Sequence, residues 1–347
     1  MMGVTRQTVY NWIRGHKVHP INTAAGRRIP EEQLIPPRFA PSKAEDYGFP
    51  IHDISGESPD AYEQLGSKEK FWYWMDGGQY LFKAGRVNTG ENWAEKVACE
   101  LCELLRLPHA QYDLARYGDK KGVISPTFVP EGGRLVHGNE LLAETQPGYE
   151  KTRIYRQTKH ALRLVLQVME SPDVGLPVGW QTIDEVRTAA DVFVGYLMLD
   201  TWVGNQDRHH ENWALVETKD RSRHLAPSYD HASSLGRNES DEERLSRLNT
   251  KDRSRSVERY VERARSAFYA SADASKPMTT IDAFRGAAIV RPAAALSWLG
   301  RLERLTTEDT GQVLNRVPRT EATEIAVEFA QRILVLNRQR LLDMDIP

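Results

Sequence analysis

The chain has 347 residues, a formal net charge of −2 and two cysteines. Near-neutrality excludes a global basic field for nucleic acid, so any such contact must be local, and so few cysteines exclude a disulfide framework and fit a reducing compartment. No apolar run is long enough to span a bilayer and MMGVTRQTVYNW lacks a signal-peptide core, so a cytoplasmic protein without membrane contact is expected.

Residues 1–34 form the first predicted unit. Gly3 to Gly15 reads as a turn followed by a helix, with Thr5 as its cap, Val9, Trp12 and Ile13 as an apolar stripe and Gly15 as its stop. Arg6, Gln7, Tyr10, Asn11 and Arg14 lie on the other faces, a set able to contact bases and phosphates. Ala25 to Leu34 reads as a basic hairpin tip, with Arg27 and Arg28, and a short helix. This order resembles the second half of a MerR-like winged helix-turn-helix, whose second helix enters the major groove. The helix that should precede it is missing here, so DNA contact by this chain is doubtful and a docked helical appendage is the plainer expectation. Residues 35–48 are a linker, because Pro36, Pro37 and Pro41 suit neither a helix nor a central strand.

Residues 49–133 form the next unit. Glu63 to Lys70 contains Gly66 and Ser67, where a turn could present backbone amides to phosphates. Lys70 to Met75 and Gln79 to Ala84 flank Asp76-Gly77-Gly78, a strong hairpin signal, and Lys83 falls on its second strand. Trp93 to Leu105 is an amphipathic helix with Glu95 one turn in. Standing alone, Lys83 would be a solvated edge-strand lysine, and Glu95 a charge favoured by the helix dipole. Cys99 and Cys102 share one helix face; with no second pair to complete a zinc site, they belong to the core. Val123 to Gly133 is a strand running into a loop, with Phe128, Val129 and Glu131 near its turn.

Residues 134–347 are mainly helical. Periodic apolar positions predict helices over 158–169, 183–202, 256–269, 294–305 and 323–342. Between the second and third lies Asn205-Gln206-Asp207-Arg208-His209-His210-Glu211-Asn212, then an apolar run from Trp213 to Val216, a charged turn, and a run ending in Tyr229-Asp230. The Asp207-to-Asn212 spacing matches a protein-kinase catalytic loop, although Asn205-Gln206 replaces the usual lead-in. Asp207 would meet the attacking hydroxyl, while Asn212 and Asp230 offer oxygen to Mg²⁺, which prefers it to the imidazoles of His209 and His210. A polar loop with capping Asp and Asn would also read this way, and the second aspartate after the hairpin argues against it.

Gly204-Asn205-Gln206-Asp207-Arg208-His209-His210-Glu211-Asn212 with Leu225-Ala226-Pro227-Ser228-Tyr229-Asp230 resembles the HipA-like serine/threonine kinase family over residues from about 50 onward. The resemblance implies Asp207 as catalytic residue, Asn212 and Asp230 as Mg²⁺ ligands, Lys83 paired with Glu95 on the ATP phosphates, and Gly66 and Ser67 in the phosphate-covering loop. In this order of parts, Phe128, Val129 and Glu131 occupy the hinge that meets adenine. The expected fold is α+β and two-lobed, protein-kinase-like: an antiparallel-sheet N-lobe (49–133), a mainly helical C-lobe (134–347) and ATP between them, preceded by a short helical or winged segment. The expected activity is phosphoryl transfer to Ser or Thr of a protein by a toxin-like or regulatory kinase. Expected partners are a translation factor such as an aminoacyl-tRNA synthetase, as substrate, and an antitoxin-like regulator. A DNA-binding regulator that only senses nucleotide, or a small-molecule or lipid kinase on the same scaffold, remain the alternatives. The family's regulatory serine before the loop glycine is absent here, so control is expected to pass to autophosphorylation of Ser67 or to a partner protein. The dense charges of residues 237–265 make a solvated surface or a substrate-docking segment.

Overall fold

The computed structural model describes residues 21–23, 26–28, 48–62, 69–183 and 185–346. The chain divides into two units, Met1–Tyr47 and Gly48–Pro347. In the first, strands β1 (Ile21–Thr23) and β2 (Gly26–Arg28) pair antiparallel, Ile21 opposite Arg28. The two helices expected within residues 1–34, with Arg6 and Arg14, lie outside the described residues.

The second unit opens with a six-stranded sheet in the order β3-β7-β8-β6-β5-β4. Its strands are β3 (Ile51–Asp53), β4 (Ala61–Tyr62), β5 (Lys70–Met75), β6 (Gly78–Ala84), β7 (Asp113–Tyr117) and β8 (Lys120–Pro126). Only the β3–β7 pair is parallel; the other neighbours are antiparallel. The β5–β6 turn forms at Asp76 and Gly77, both at positive φ (52° and 78°), the backbone that an Asp-Gly pair in a tight hairpin favours. Alternation along the strands sends side chains to opposite faces. Phe71, Tyr73, Phe82 and Ile124 pack into one small core, whereas Leu114 and Val123 join the main core under helix α1 (Glu91–Leu105). Cys99 and Cys102 are buried free thiols on α1.

From β8 the chain crosses through residues 127–133 to β9 (Arg134–His137) and α2 (Gly138–Thr145). Strand β9 joins a second sheet, ordered β10-β12-β11-β9, with β10 (Val174–Gly175), β11 (Ala214–Glu217) and β12 (Arg223–Leu225). The rest is helical: α3 (Leu162–Met169), α4 (Ala189–Val203), α5 (Asp241–Asn249), α6 (Val257–Glu262), α7 (Thr280–Val290), α8 (Pro292–Arg304), α9 (Thr307–Asn315) and α10 (Glu324–Leu342). The fold is therefore the expected α+β arrangement of a sheet lobe and a helical lobe. All fifteen residues of α4 are buried, as befits a helix with apolar residues on every face. A Cβ at Gly195 would lie 2.5 Å from the Trp298 ring, so glycine is what lets α8 cross α4 here. Among the described residues no helix is long and apolar enough to cross a membrane.

Several elements depart from the periodicity: the helices expected from 158 and 183 begin only at Leu162 and Ala189. The helix expected over 256–269 stops at Glu262 as α6, because Ser266 and Phe268 turn to backbone bonds with Met278 instead. Helices α2, α5, α7 and α9 escape the periodicity, although Thr279 caps α7 by accepting from the Asp282 N–H.

A loop of the helical lobe also holds the sheet lobe. Arg316 donates to Glu100 of α1 at 2.9 Å and lies over the Phe49 ring. The buried Glu321 carboxylate accepts from Arg116 of β7 at 3.1 Å and from Asn92 of α1 at 2.6 Å. This contact lies apart in sequence from the 127–133 crossover.

Deep in the helical lobe, His160 Nδ1 donates to the Ala267 carbonyl at 3.0 Å and Nε2 accepts from Trp213 at 3.0 Å, with its ring stacked on Phe268. Burial pushes its pKa down to about 3. A histidine depressed in the fold binds its proton more tightly when unfolded. Its share of stability is full above about pH 6.5 and is lost as pH falls toward 3. Urea unfolding at pH 7, 6, 5 and 4 should show a loss approaching about 1.4 kcal/mol per pH unit from this ring below its unfolded pKa. His160→Gln should remove that share, and a His160 ring resonance titrating near pH 6 would contradict the assignment.

Candidate functional site

Helix α4 starts at a capping box, Thr188 with Asp191, and ends at Gly204, whose positive φ of 70° closes it with bonds to the Asp200 and Thr201 carbonyls. The polar loop that follows is anchored back onto the helix. Asp200 Oδ1 accepts from Asn205 Nδ2 at 2.8 Å and Arg208 Nη2 at 2.6 Å, and its Oδ2 accepts from Arg208 Nε at 2.7 Å. Arg208 is 1% exposed and Asp200 3%. Burial alone would lower the Arg208 pKa, but the Asp200 charge and hydrogen bonds outweigh it and raise the value. Arg208 Nη1 also donates to the Asn212 carbonyl at 3.0 Å, which closes the far end of the loop.

Inside that frame, Asp207 N–H donates to Asn205 Oδ1 at 3.2 Å, and Asn212 Nδ2 donates to the Asp207 carbonyl at 2.6 Å. The Asp207 carboxylate accepts from Ser233 Oγ at 3.3 Å, and Ser233 in turn accepts from Arg237 Nη2 at 2.9 Å. Tyr149 and His210 brace the loop from below through a 2.6 Å hydrogen bond between the Tyr149 hydroxyl and His210 Nδ1. Burial holds both His209 and His210 at about 4, neutral at physiological pH.

Across the cleft, Lys83 on β6 is 6% exposed. Its Nζ donates to Glu95 Oε2 at 3.2 Å and to Asp230 Oδ1. Burial opposes the lysine charge, yet the Asp230 and Glu95 carboxylates outweigh it and raise its pKa. Glu95 is wholly buried; burial pushes its pKa up, but the Lys83 charge prevails and lowers it. Its other oxygen accepts the His231 N–H at 2.6 Å. Asp230 sits at a positive φ of 57°, a left-handed conformation that a short polar side chain tolerates. Glu91, at the start of α1, pairs with Arg86 and Arg237. The stretch after Asp230 therefore meets α1 at two points, Glu95 and Glu91.

The structure thus brings Lys83, Glu95 and Asp230 into direct contact. It brings Asp207 and Asn212 into contact separately, and Ser233 and Arg237 connect Asp207 to Glu91 on the helix that carries Glu95. Phe128, Val129 and Glu131 lie on the crossover between the lobes, and Phe128 stacks on Tyr229 with centroids 5.9 Å apart. Gly66 and Ser67 lie outside the described residues. Sequence reasoning missed Asp200, Ser233, Arg237 and His231. Asp200 carries a local signal, an acid in the last turn of a largely apolar helix; Ser233 and Arg237 acquire their places only in three dimensions.

The donors suit a hard cation. Asn212 commits its N–H to the Asp207 carbonyl, which leaves Oδ1 as an oxygen that could face a cation, and Asp230 offers carboxylate oxygen. Among the described residues no group of three or more His, Cys, Asp or Glu could hold a metal alone. Two protein oxygens, supplemented by phosphate and water, are the way Mg²⁺ is held beside a nucleotide.

No protein-family model and no curated protein sequence matches the chain. Among solved structures it is similar to the proinflammatory kinase CtkA of Helicobacter pylori: TM-score 0.65, 19% identity, covering 85% of this chain and 100% of that one. HipA in a complex with HipB and operator DNA from Shewanella oneidensis MR-1 gives 0.49 and 14%, covering 99% of this chain and 83% of that one. The PknI kinase domain of Mycobacterium tuberculosis gives 0.30 and 14%, covering 85% and 100%. The CtkA likeness identifies the fold as kinase-like.

Arg208→Ala should destabilise the protein by about 3–5 kcal/mol in urea unfolding, because it strands a buried carboxylate. Replacing the pair together, Asp200→Leu with Arg208→Met, should recover most of that loss; a double variant as unstable as the single one would refute the pair's role.

Proposed function

We propose that the chain transfers the γ-phosphoryl group of ATP to a Ser or Thr hydroxyl of a protein, as a HipA-like kinase. The observation that carries this reading is one arrangement of side chains. Lys83 is held between Glu95 and Asp230, and Asp207 and Asn212 are locked together by the anchored loop beside them.

In the reaction the acceptor oxygen bonds to the γ-phosphorus as the bond to the β–γ bridging oxygen breaks, and ADP leaves. Asp207, steadied by Ser233, orients the hydroxyl and takes its proton. Lys83 contacts the phosphates, as such a lysine does when paired with a helix glutamate. Asn212 and Asp230 would hold Mg²⁺, which neutralises phosphate charge when bound. Phe128, Val129 and Glu131 would flank adenine from the crossover, and Gly66 and Ser67 would cover the phosphates. The motif resemblance extends the reading to a toxin-like or regulatory role, with a translation factor such as an aminoacyl-tRNA synthetase as substrate and an antitoxin-like protein in control.

Asp207→Asn should keep the fold and nucleotide binding but lower turnover about 10²- to 10⁴-fold; turnover like wild type would remove Asp207 from the chemistry. Asp230→Ala should lose Mg²⁺-dependent ATP binding in calorimetry, and unchanged binding would remove the metal role. Labelled ATP with a cell lysate, followed by identification of the labelled protein and residue, tests the substrate class. Label found solely on small molecules or lipids would replace the protein reading.

A further inference from the structure

Beside the Asp207 loop a pocket of about 140 Å³ is lined by Gln206, Arg247, Arg259, Tyr260, Arg263 and Ala264. Arginines supply half of its lining and no carboxylate enters it. It has room for a side-chain head group.

The three arginines differ in what already engages them. Arg247 is fixed: it donates to Glu239 at 2.8 Å and lies over the Tyr260 ring. Arg259 pairs with Glu262 at 2.9 Å, three residues along α6, and both side chains are about half exposed; such pairs hold weakly. Among the described residues the Arg263 guanidinium has no hydrogen-bond or ion-pair partner. Gln206 accepts the Arg265 N–H through Oε1 at 3.4 Å, so its amide nitrogen remains to donate. Guanidinium groups sharing one small lining repel each other, and an oxyanion among them would convert that repulsion into charge-assisted bonds.

The location gives the pocket its use. Gln206 is the direct chain neighbour of Asp207, so their Cα atoms are about 3.8 Å apart. An extended peptide advances about 3.3 Å per residue, so a residue a few positions from the acceptor reaches the pocket. We propose that this pocket receives an anionic side chain, a carboxylate or a phosphate monoester, of the protein being phosphorylated, and so directs the enzyme to acceptors in acidic surroundings. The proposal rests on the kinase reading above and names the substrate class for the same site.

The test uses peptides with one Ser or Thr acceptor and Glu, phosphoserine, Gln or Lys at one flanking position. Label transfer from ATP and fluorescence anisotropy are measured separately on the full chain. Glu or phosphoserine at the favoured position should raise kcat/KM by about tenfold or more over Gln, with Lys below Gln, and the advantage should shrink with added salt. Arg259→Gln with Arg263→Gln, both exposed positions, should bring the acidic-to-neutral ratio close to one, and Arg263→Lys should keep part of it. A phosphoserine advantage well above that of Glu assigns the pocket to phosphorylated substrates; equal advantages assign it to plain acidic ones. A wild-type ratio near one, or a double variant that keeps the wild-type ratio, overturns the proposal. Equal labelling of all peptides defeats the pocket and leaves the kinase reading intact. Acid-selective binding without any label transfer defeats the kinase reading and leaves the pocket.

Discussion

The bidentate ion pair between Asp200 and Arg208 is the constraint on which the rest of the site depends. It joins the end of the wholly buried α4 to the loop that follows, and two further bonds fix Asn205 and the Asn212 carbonyl to the same charges. A buried pair of this kind adds little net stability over a packed apolar pair, because desolvation consumes most of the attraction. What it does is select one loop conformation: any other would strand a charge away from water. The positions of Asp207 and Asn212 follow from that selection.

Helix α1 exerts a second control, on the opposite side of the cleft. Glu95 accepts from both Lys83 and the His231 backbone, and Glu91 pairs with Arg237. Arg237 in turn reaches Ser233, which touches the Asp207 carboxylate. A shift of α1 would thus disturb the lysine on one side and the aspartate on the other. The link is a chain of direct contacts between named side chains, and each can be broken by a single substitution.

Much of this is legible in the sequence, and the reason differs from element to element. The β5–β6 hairpin was readable because Asp76-Gly77 suits a backbone few residues adopt. The helix bearing Glu95 showed its apolar stripe. The buried α4 carried a long hydrophobic run, and the Asp207-to-Asn212 spacing lies within a single loop. Where the reading failed, the deciding partner was remote in the chain. Periodicity carried the helix at 256 onward to 269, but residues 264–268 find their hydrogen bonds in 278–280. Nothing near Ser233 announces that it will face Asp207, 26 residues earlier. Likewise nothing around Glu321 in the sequence marks its side chain as buried against the sheet lobe.

That last contact has a mechanical consequence. A lobe joined to its partner by one crossover can twist and open in any direction. Here the crossover of residues 127–133 is backed by the Arg316–Glu321 loop, which reaches across to Glu100, Asn92 and Arg116 on the sheet-lobe side. The loop thereby works as a clasp, holding together two lobes that the backbone joins far earlier in the chain.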